Sequence, residues 1–426
     1  MSFRGLLVAN RNYRYVWLAQ VVSEIGDHFN NIAVFSLAMK HGDAGVVLAA
    51  VMISRGLPML VAGPVSGVLL DRWDRKRVMI ASDLVRAAIA LGFILCVGQK
   101  NPSLLYLFSA ILMFASPFFN SGRSAILPKI ASKDEIHTAN SVTITTQWTN
   151  TAVGALLGGL TVDAFGYEIS FFLNAMSFLF SAWCVSHLRG TFKADRAAAK
   201  PHPWHDYLDG LRYIRAHPLI LALALVGVGW ALGGGAAQIL FSLFGEQVFH
   251  RGASGIGTLW FGAGMGLVLG GMFAHWLGPR LSYAWYKRTV SLSYLVHGSA
   301  YVVFSQMENF FAAMFFVGLS RAAVAVSSVL NQGQLLRTVA DEYRGRVFST
   351  IDTLVWSTMM LSLMAAGLAS RHVGPRTIGL WAGVLSSSTA IFWAWANWRG
   401  KLPECPVPNT SFANQANQEG GIEVQP

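Results

Sequence analysis

Gln20-Val-Val-Ser-Glu24-Ile-Gly-Asp27-His28-Phe-Asn-Asn31 lies inside the first long apolar stretch of this chain. An acid near the centre of a membrane-spanning helix costs roughly 2.5–3.5 kcal/mol on insertion scales. Gln20, Glu24, Asp27 and Asn31 follow one another at steps of four, three and four, the spacing of one stripe on a 3.6-residue helix. Lipid cannot face that stripe. It has to look into a wet space between helices, and such a space points to transport.

The composition agrees. Of 426 residues, 54% are hydrophobic and 12% charged, with a mean hydropathy of +0.46. A soluble domain carries about 25% charged residues. Apolar runs of about 20 residues recur, long enough at 1.5 Å per residue to cross a hydrocarbon core of about 30 Å. The expected class is an all-α integral membrane protein. Spans are expected near 15–39, 45–70, 78–98, 103–126, 140–162, 168–188, 218–248, 254–277, 286–305, 309–334, 345–369 and 376–397, twelve transmembrane helices.

The net charge of +11 could suggest nucleic acid, but its placement reads as topology. Counting span-end residues with the adjoining loop, 23 Lys and Arg fall on the side of the N-terminus, 5 on the other and 4 within spans. Positive-inside bias then puts both termini in the cytoplasm and the chain in the plasma membrane, with part of the charge facing anionic inner-leaflet lipid. The polar, basic first 12 residues read as no cleaved signal. Cys96, Cys184 and Cys405 have no metal or redox spacing, and no cofactor or metal is expected. No Gly-rich nucleotide loop of the G-x-x-x-x-G-K-S/T kind is present, so ATP is not the direct energy source, and no Ser/His/Asp or His/Glu constellation suggests an enzyme.

The chain divides into residues 1–188 (six spans), a cytoplasmic linker 189–217, residues 218–398 (six spans) and a disordered tail 399–426. The stretch from Trp204 to His217 is expected to lie on the inner membrane face with Trp204, Tyr207, Leu211 and Ile214 toward lipid. The halves look duplicated. Leu156-Leu157-Gly158-Gly159-Leu160 matches Met364-Ala365-Ala366-Gly367-Leu368 at an offset of 208, as Gly166 matches Gly374, and Asp134-Glu135 matches Asp341-Glu342 at 207. Two pseudo-symmetric six-helix bundles follow.

The loop between spans 2 and 3 reads Gly67-Val-Leu-Leu-Asp71-Arg72-Trp73-Asp74-Arg75-Lys76-Arg77. It resembles the loop G-x-x-x-D-R-x-G-R-K/R of the major facilitator superfamily, with Asp74 in place of the second glycine that forms the family's tight turn. Further resemblance lies in Gln20-x-x-Ser23-x-x-Gly26-Asp27, Asp83-Leu-Val-Arg86, Arg123-x-Ala125-x-Leu127-Pro128, Phe172-x-Asn174-Ala175-x-Ser177 and Arg344-Gly345-Arg346-Val347. Together these resemble the drug:proton antiporter branch that includes macrolide efflux pumps and the enterobactin exporter. The resemblance implies the major facilitator fold, a monomer, and a latch in which Asp71 meets Arg344 and Arg346 at the start of span 11 and shuts the inner ends in the outward-open state. Gly67, Arg72, Arg75, Lys76 and Arg123 belong to that latch region. On the residues alone, Arg75, Lys76 and Arg77 also serve as a positive-inside anchor, to which Asp71 adds nothing.

Asp27 is the first candidate for proton coupling, Glu24 the second, and His28 a titratable neighbour; a structural ion pair is the alternative. Arg86 is expected to pair with Asp83, and Arg123 to pair with Asp71 or to snorkel. Arg55 and Arg321, without evident partners, suit an anionic group on a substrate. With Gln20, Asn31, Asp352, Trp148, Trp230 and Trp356 they form the candidate cavity wall, although packed or lipid-facing tryptophan is the ordinary alternative. Gly154, Gly158 and Gly159 in span 5 keep the glycines of the antiporter motif without its proline, and Gly262 and Gly266 form a second small-residue seam; both suit close helix packing.

These observations predict a proton-coupled secondary exporter of a small amphipathic compound, drug- or siderophore-like, working by alternating access. Its partners are that compound, protons and the lipid bilayer, and not nucleic acid. A lysophospholipid translocator, a proton-linked importer, and a non-transporting sensor or assembly protein on the same fold are the alternatives. The two acids suit a cationic substrate and the arginines an anionic one, so the sequence leaves the substrate's charge open.

Overall fold

The computed structural model describes residues 3–193, 203–340 and 343–404. In chain order the α-helices are α1 (Phe3–Ala9), α2 (Arg11–Met39), α3 (Ala44–Arg72), α4 (Arg75–Gly92), α5 (Ser103–Ile130), α6 (Lys133–Ser186), α7 (Pro203–Ala216), α8 (Pro218–Leu243), α9 (Gly252–Leu277), α10 (Tyr283–Gln306), α11 (Phe310–Thr338), α12 (Arg344–Ala369) and α13 (Pro375–Trp398). Among the described residues, nine helices are long and apolar enough to cross a membrane: α3 to α6, α8, α9 and α11 to α13. One of them crosses twice, because Gly166 takes φ +85° in the middle of α6 and breaks it into two antiparallel spans. Helix α2, which carries Glu24 and Asp27, and α10, which carries Lys287 and Arg288, are long enough but more polar. The crossings then number twelve.

Local chemistry sets the helix ends. Asn10 accepts the Tyr13 N–H at the start of α2, Ser282 that of Trp285 before α10, and Asn309 that of Ala312 before α11. Ser132 and Glu135 form a capping box at the start of α6. Pro218 and Pro375 occupy first-turn positions, where a missing N–H costs nothing.

Asp74 explains how the loop does without its second glycine. It takes φ −65° and ψ 119°, caps α4 by accepting the Arg77 N–H at 3.1 Å, and leaves no left-handed position to fill.

Helices α2 to α6 pack among themselves, as do α8 to α13. The turns alternate between two faces. One, the basic face, carries the α3–α4, α5–α6 and α11–α12 turns with Arg72, Arg75, Lys76, Arg77, Arg344 and Arg346; the other, the far face, carries the α2–α3 and α12–α13 turns.

Helix α7 departs from expectation. Ile214 is buried, Gly210 sits against the Arg346 carbonyl and Thr350 of α12, and Tyr213 stacks on Tyr343 at 4.5 Å. Its apolar face is therefore spent on protein, because α12 offers a contact that lipid does not have to supply. The Trp204 side chain and residues 194–202 lie outside the described residues. The start of the tail is also packed: Leu402 is buried and the Tyr283 hydroxyl donates to the Pro403 carbonyl at 2.9 Å. Residues 405–426, and the Asp341-Glu342 half of one repeat match, lie outside the described residues.

Candidate functional site

Helix α2 presents its polar stripe to α3, α4, α5 and α6. The Gln20 amide donates to the Thr143 carbonyl at 3.2 Å. One turn on, Glu24 is held on both oxygens: Arg123 of α5 pairs with one at 3.3 Å and the Asn150 amide of α6 donates to the other at 2.9 Å. Arg123 therefore reaches Glu24, in place of the expected pairing with Asp71 or snorkelling. Asn150 carries no signal of its own in sequence, being one amide in a Thr-rich run.

Asp27 is held more loosely. One carboxylate oxygen is 4.0 Å from Arg86, whose other terminal nitrogen pairs with Asp83 as expected; the other Asp27 oxygen is buried with no hydrogen-bond partner. The Asp27 side chain nevertheless keeps 27% of its surface exposed, so it is not sealed in a dry interior. Arg86 is sandwiched between Phe119 and Phe178 at 4.7 and 4.3 Å. Arg55 donates to the Asn31 side-chain oxygen and lies over Phe35 at 5.6 Å, while its other terminal nitrogen is buried without a partner. His28 lies against Gly154.

In the second half, Arg321 is buried over Phe241 at 5.3 Å. Trp148 of α6, in the first half, packs across on Gly271 of α9, and Trp230 is half-buried with its ring nitrogen unpartnered. Asp352 and Trp356 are exposed on α12.

The halves meet at the far face. A Cβ on Gly159 of α6 would stand 2.5 Å from the Ala253 carbonyl of α9, and Gly367 of α12 lies against Ala49 of α3. Arg371 pairs with Asp43 at 3.1 Å, and Asp163 accepts the N–H groups of Ala253 and Ser254 at 3.2 and 2.9 Å, capping the start of α9 from the other half. Gly252, with φ +57°, turns the chain into that cap. Asp43, Asp163 and Arg371 were missed as site residues because span-end charges read as loop solvation. Their spacing holds a signal: Asp163 and Arg371 share the 208 offset of the glycines.

Toward the basic face α3 and α12 part. Of the α3 glycines, Gly56 still meets Met360 of α12; beyond it Leu57, Leu60, Val61, Val65 and Val68 are exposed, and a Cβ on Gly63 or Gly67 would meet nothing within 4 Å. Asp71 and Arg72 are exposed. Arg75 donates to the Ala125 carbonyl and Lys76 to the Leu188 carbonyl, each at 2.8 Å and within the first half. Across the gap, Arg346 pairs with Asp209 of α7 at 3.7 Å and Arg344 donates to the Leu336 carbonyl at 2.8 Å. The structure thus does not bring Asp71 together with either arginine.

The other candidate glycines, Gly154, Gly158, Gly262 and Gly266, sit in helix contacts. A Cβ on Gly154 would be 2.9 Å from His28 Cβ, on Gly158 3.0 Å from Phe29 Cα, and on Gly262 2.7 Å from Met314 Cγ; Gly266 lies against the Gly318 carbonyl.

Comparison with known proteins accords with this arrangement. The chain is 28% identical over 384 residues to the MFS-type transporter YfiS of Bacillus subtilis, covering 86% of this chain and 88% of that protein. It is 23% identical to macrolide efflux protein A of Streptococcus pyogenes (88% and 93% covered) and 27% identical to the enterobactin exporter EntS of Shigella boydii (80% and 81% covered). A bacterial homologue of the iron transporter ferroportin, in its inward-facing state, superposes with a TM-score of 0.68 at 15% identity over 92% of this chain and 100% of that one, a likeness of fold. The family model described as Major Facilitator Superfamily matches residues 16–362, and the chain belongs to that superfamily of membrane transporters.

Proposed function

We propose that this transporter is a proton-coupled exporter of a small amphipathic compound, with the basic face in the cytoplasm. The observation that carries the reading is that α3 and α12, from opposite halves, touch at the far face and part toward the basic face, with Asp27 at mid-depth and incompletely paired. That is one end of an alternating-access cycle, open to the side on which an exporter loads. Relatives named for exporting enterobactin and macrolides favour the outward direction.

In this reading Glu24 is a positioning residue, neutralised by Arg123, and Asp27 carries the proton. Its loose grip on Arg86 lets protonation and release alternate with little rearrangement, whereas Glu24 would have to break two contacts. The cycle's other end closes the basic face through Asp71, Arg344 and Arg346. Gly154 and Gly158 set the close approach of α2 to α6, and Gly159 that of the two halves.

The test is transport by purified protein in proteoliposomes under an imposed pH gradient, with a macrolide and enterobactin as probes. The wild type is expected to move at least one of them uphill only while the gradient stands. Asp27→Asn should retain downhill movement and lose the gradient's effect. Equal uphill transport by both proteins, or transport indifferent to the gradient, overturns the coupling assignment.

A further inference from the structure

The α8–α13 half contains a guanidinium that its own helices do not neutralise. Arg321 lies eleven residues into the 29-residue α11, about 16 Å along the helix and so near the bilayer midplane. It is 8% exposed. Across helices α8 to α13 the sequence has one acidic residue, Asp352, and that side chain is exposed on α12. No carboxylate among the described residues pairs with Arg321. In the other half Arg86 and Arg123 both pair with acids.

The groups around Arg321 sharpen the point. Phe241 takes the face of the guanidinium at 5.3 Å, which leaves its N–H edge for something else. Tyr301 of α10 flanks the same Phe241 ring at 6.5 Å between centroids, and His297 of α10 meets Ser320, the chain neighbour of Arg321. The Tyr301 hydroxyl is buried with no hydrogen-bond partner, as is His297 Nε2, whose other ring nitrogen is 2.7 Å from Ser320 Oγ. Tyr301 and His297 are 2% and 3% exposed, so water does not easily serve them. A cation–π contact alone accounts for one face of the arginine and for neither of the other two groups. A fixed cation beside a hydroxyl and an imidazole, with no anion supplied, is the chemistry that receives an oxyanion.

We propose that Arg321, Tyr301 and His297 bind a carboxylate or phosphate group, and that this group belongs to the transported compound. The inference rests on the transporter reading and deepens it. Glu24 and Asp83 of the first half are matched by arginines and Asp27 carries the proton, so the sequence's conflict over substrate charge resolves toward an anion. A cationic compound would meet the uncompensated Arg321 with repulsion.

The experiment is equilibrium binding of radiolabelled benzoate to the purified full chain in detergent, with phenyl phosphate, benzyl alcohol, benzylammonium, chloride and inorganic phosphate as competitors. Benzoate and phenyl phosphate should bind at least about tenfold more tightly than benzyl alcohol, and benzylammonium should not compete. Arg321→Gln should weaken benzoate at least about tenfold, Arg321→Lys less, and Tyr301→Phe about threefold to tenfold. Tyr301→Phe removes one oxygen and keeps the ring packing, so it reads binding even if Arg321→Gln fails to fold. Unchanged affinity in folded Arg321→Gln and in Tyr301→Phe, or no anion binding by the wild type, overturns the site. Saturation by chloride or inorganic phosphate with benzoate no tighter overturns the assignment to the transported compound. Because no gradient is used, gradient-driven export without anion binding would sink this inference alone, and anion binding without gradient dependence would sink only the coupling.

Discussion

Gly159 of α6 and Gly367 of α12 stand 208 residues apart and make equivalent contacts from opposite halves: Gly159 against the Ala253 carbonyl of α9, Gly367 against Ala49 of α3. Asp163, one turn further along α6, and Arg371, just past the end of α12, repeat the relation, each reaching the start of a helix in the other half. The far-face seal is thus built twice, once by each copy of the repeat. Leucine at Gly159 or Gly367 should hold the halves apart, since overpacking of a tight contact costs about 1–3 kcal/mol. Transport should fall by about tenfold or more while the protein stays folded. Gly63→Ala, where the added carbon meets open space, should leave transport intact. Normal transport by Gly159→Leu would mean that this contact does not close the far face.

The surface pair Asp43–Arg371 should be worth little in energy, about 0–1 kcal/mol, yet it reports the state of the gate. In a chain carrying Asp43→Cys and Arg371→Cys, oxidation should form a cross-link that stops transport, and reduction should restore it. Transport at full rate through the cross-linked protein would show that the far face need not open.

The polar stripe on α2 was legible because its period and its hydrocarbon setting are both sequence properties. So was the pairing of Arg86 with Asp83, since three residues on a helix decide it. Longer-range partners were not. Glu24 meets Arg123 across 99 positions and Asn150 across 126, distances at which periodicity carries no information. Helix α7 shows another limit. An amphipathic pattern says that one face will be covered and not by what; Gly210, small enough to admit the Arg346 carbonyl, lets α12 do the covering. The fold class emerged from composition, but which face is shut is a property of contacts between halves.

The Glu24–Arg123 pair leads to a stability prediction. Removing one partner of a buried pair costs about 3–5 kcal/mol; with side chains 15–20% exposed the loss should be smaller, about 2 kcal/mol. Arg123→Met should therefore lower the thermal midpoint in detergent, and the double variant Glu24→Gln with Arg123→Met should recover most of it. A double variant no more stable than the single one would show that the charge on Glu24 is matched by some other group.

Glu135 gives a pH test outside the bilayer. The Ser132 N–H donates to its carboxylate at 2.9 Å, and this backbone hydrogen bond holds its pKa below the ordinary glutamate value. A group whose folded pKa is depressed contributes above its unfolded pKa and loses that contribution as pH falls through the folded one. Amide exchange at residues 132–136 should accelerate as pH is lowered through the acid range, after correction for intrinsic rates. Glu135→Gln should remove that dependence, and a wild type with no such acceleration would show that the capping box does not hold the helix start.

Arg346 offers the sharpest test of the cycle. In this conformation it pairs with Asp209 at 3.7 Å, while Asp71 is exposed across the gap. If the basic face closes by bringing the α3 loop to the start of α12, Arg346 must share or exchange its carboxylate. Asp71→Arg then places like charges at the closing contact and should trap the basic face open, lowering transport by about tenfold. The double variant Asp71→Arg with Arg346→Asp restores opposite charge there and also gives up the Asp209 pair, so it should recover transport only in part. Asp209→Asn should do the reverse of the first change, loosening the hold on Arg346 and favouring closure, measurable as reduced labelling of a cysteine at Gly63. Unaltered transport in Asp71→Arg would remove the latch and leave the loop as a topological anchor.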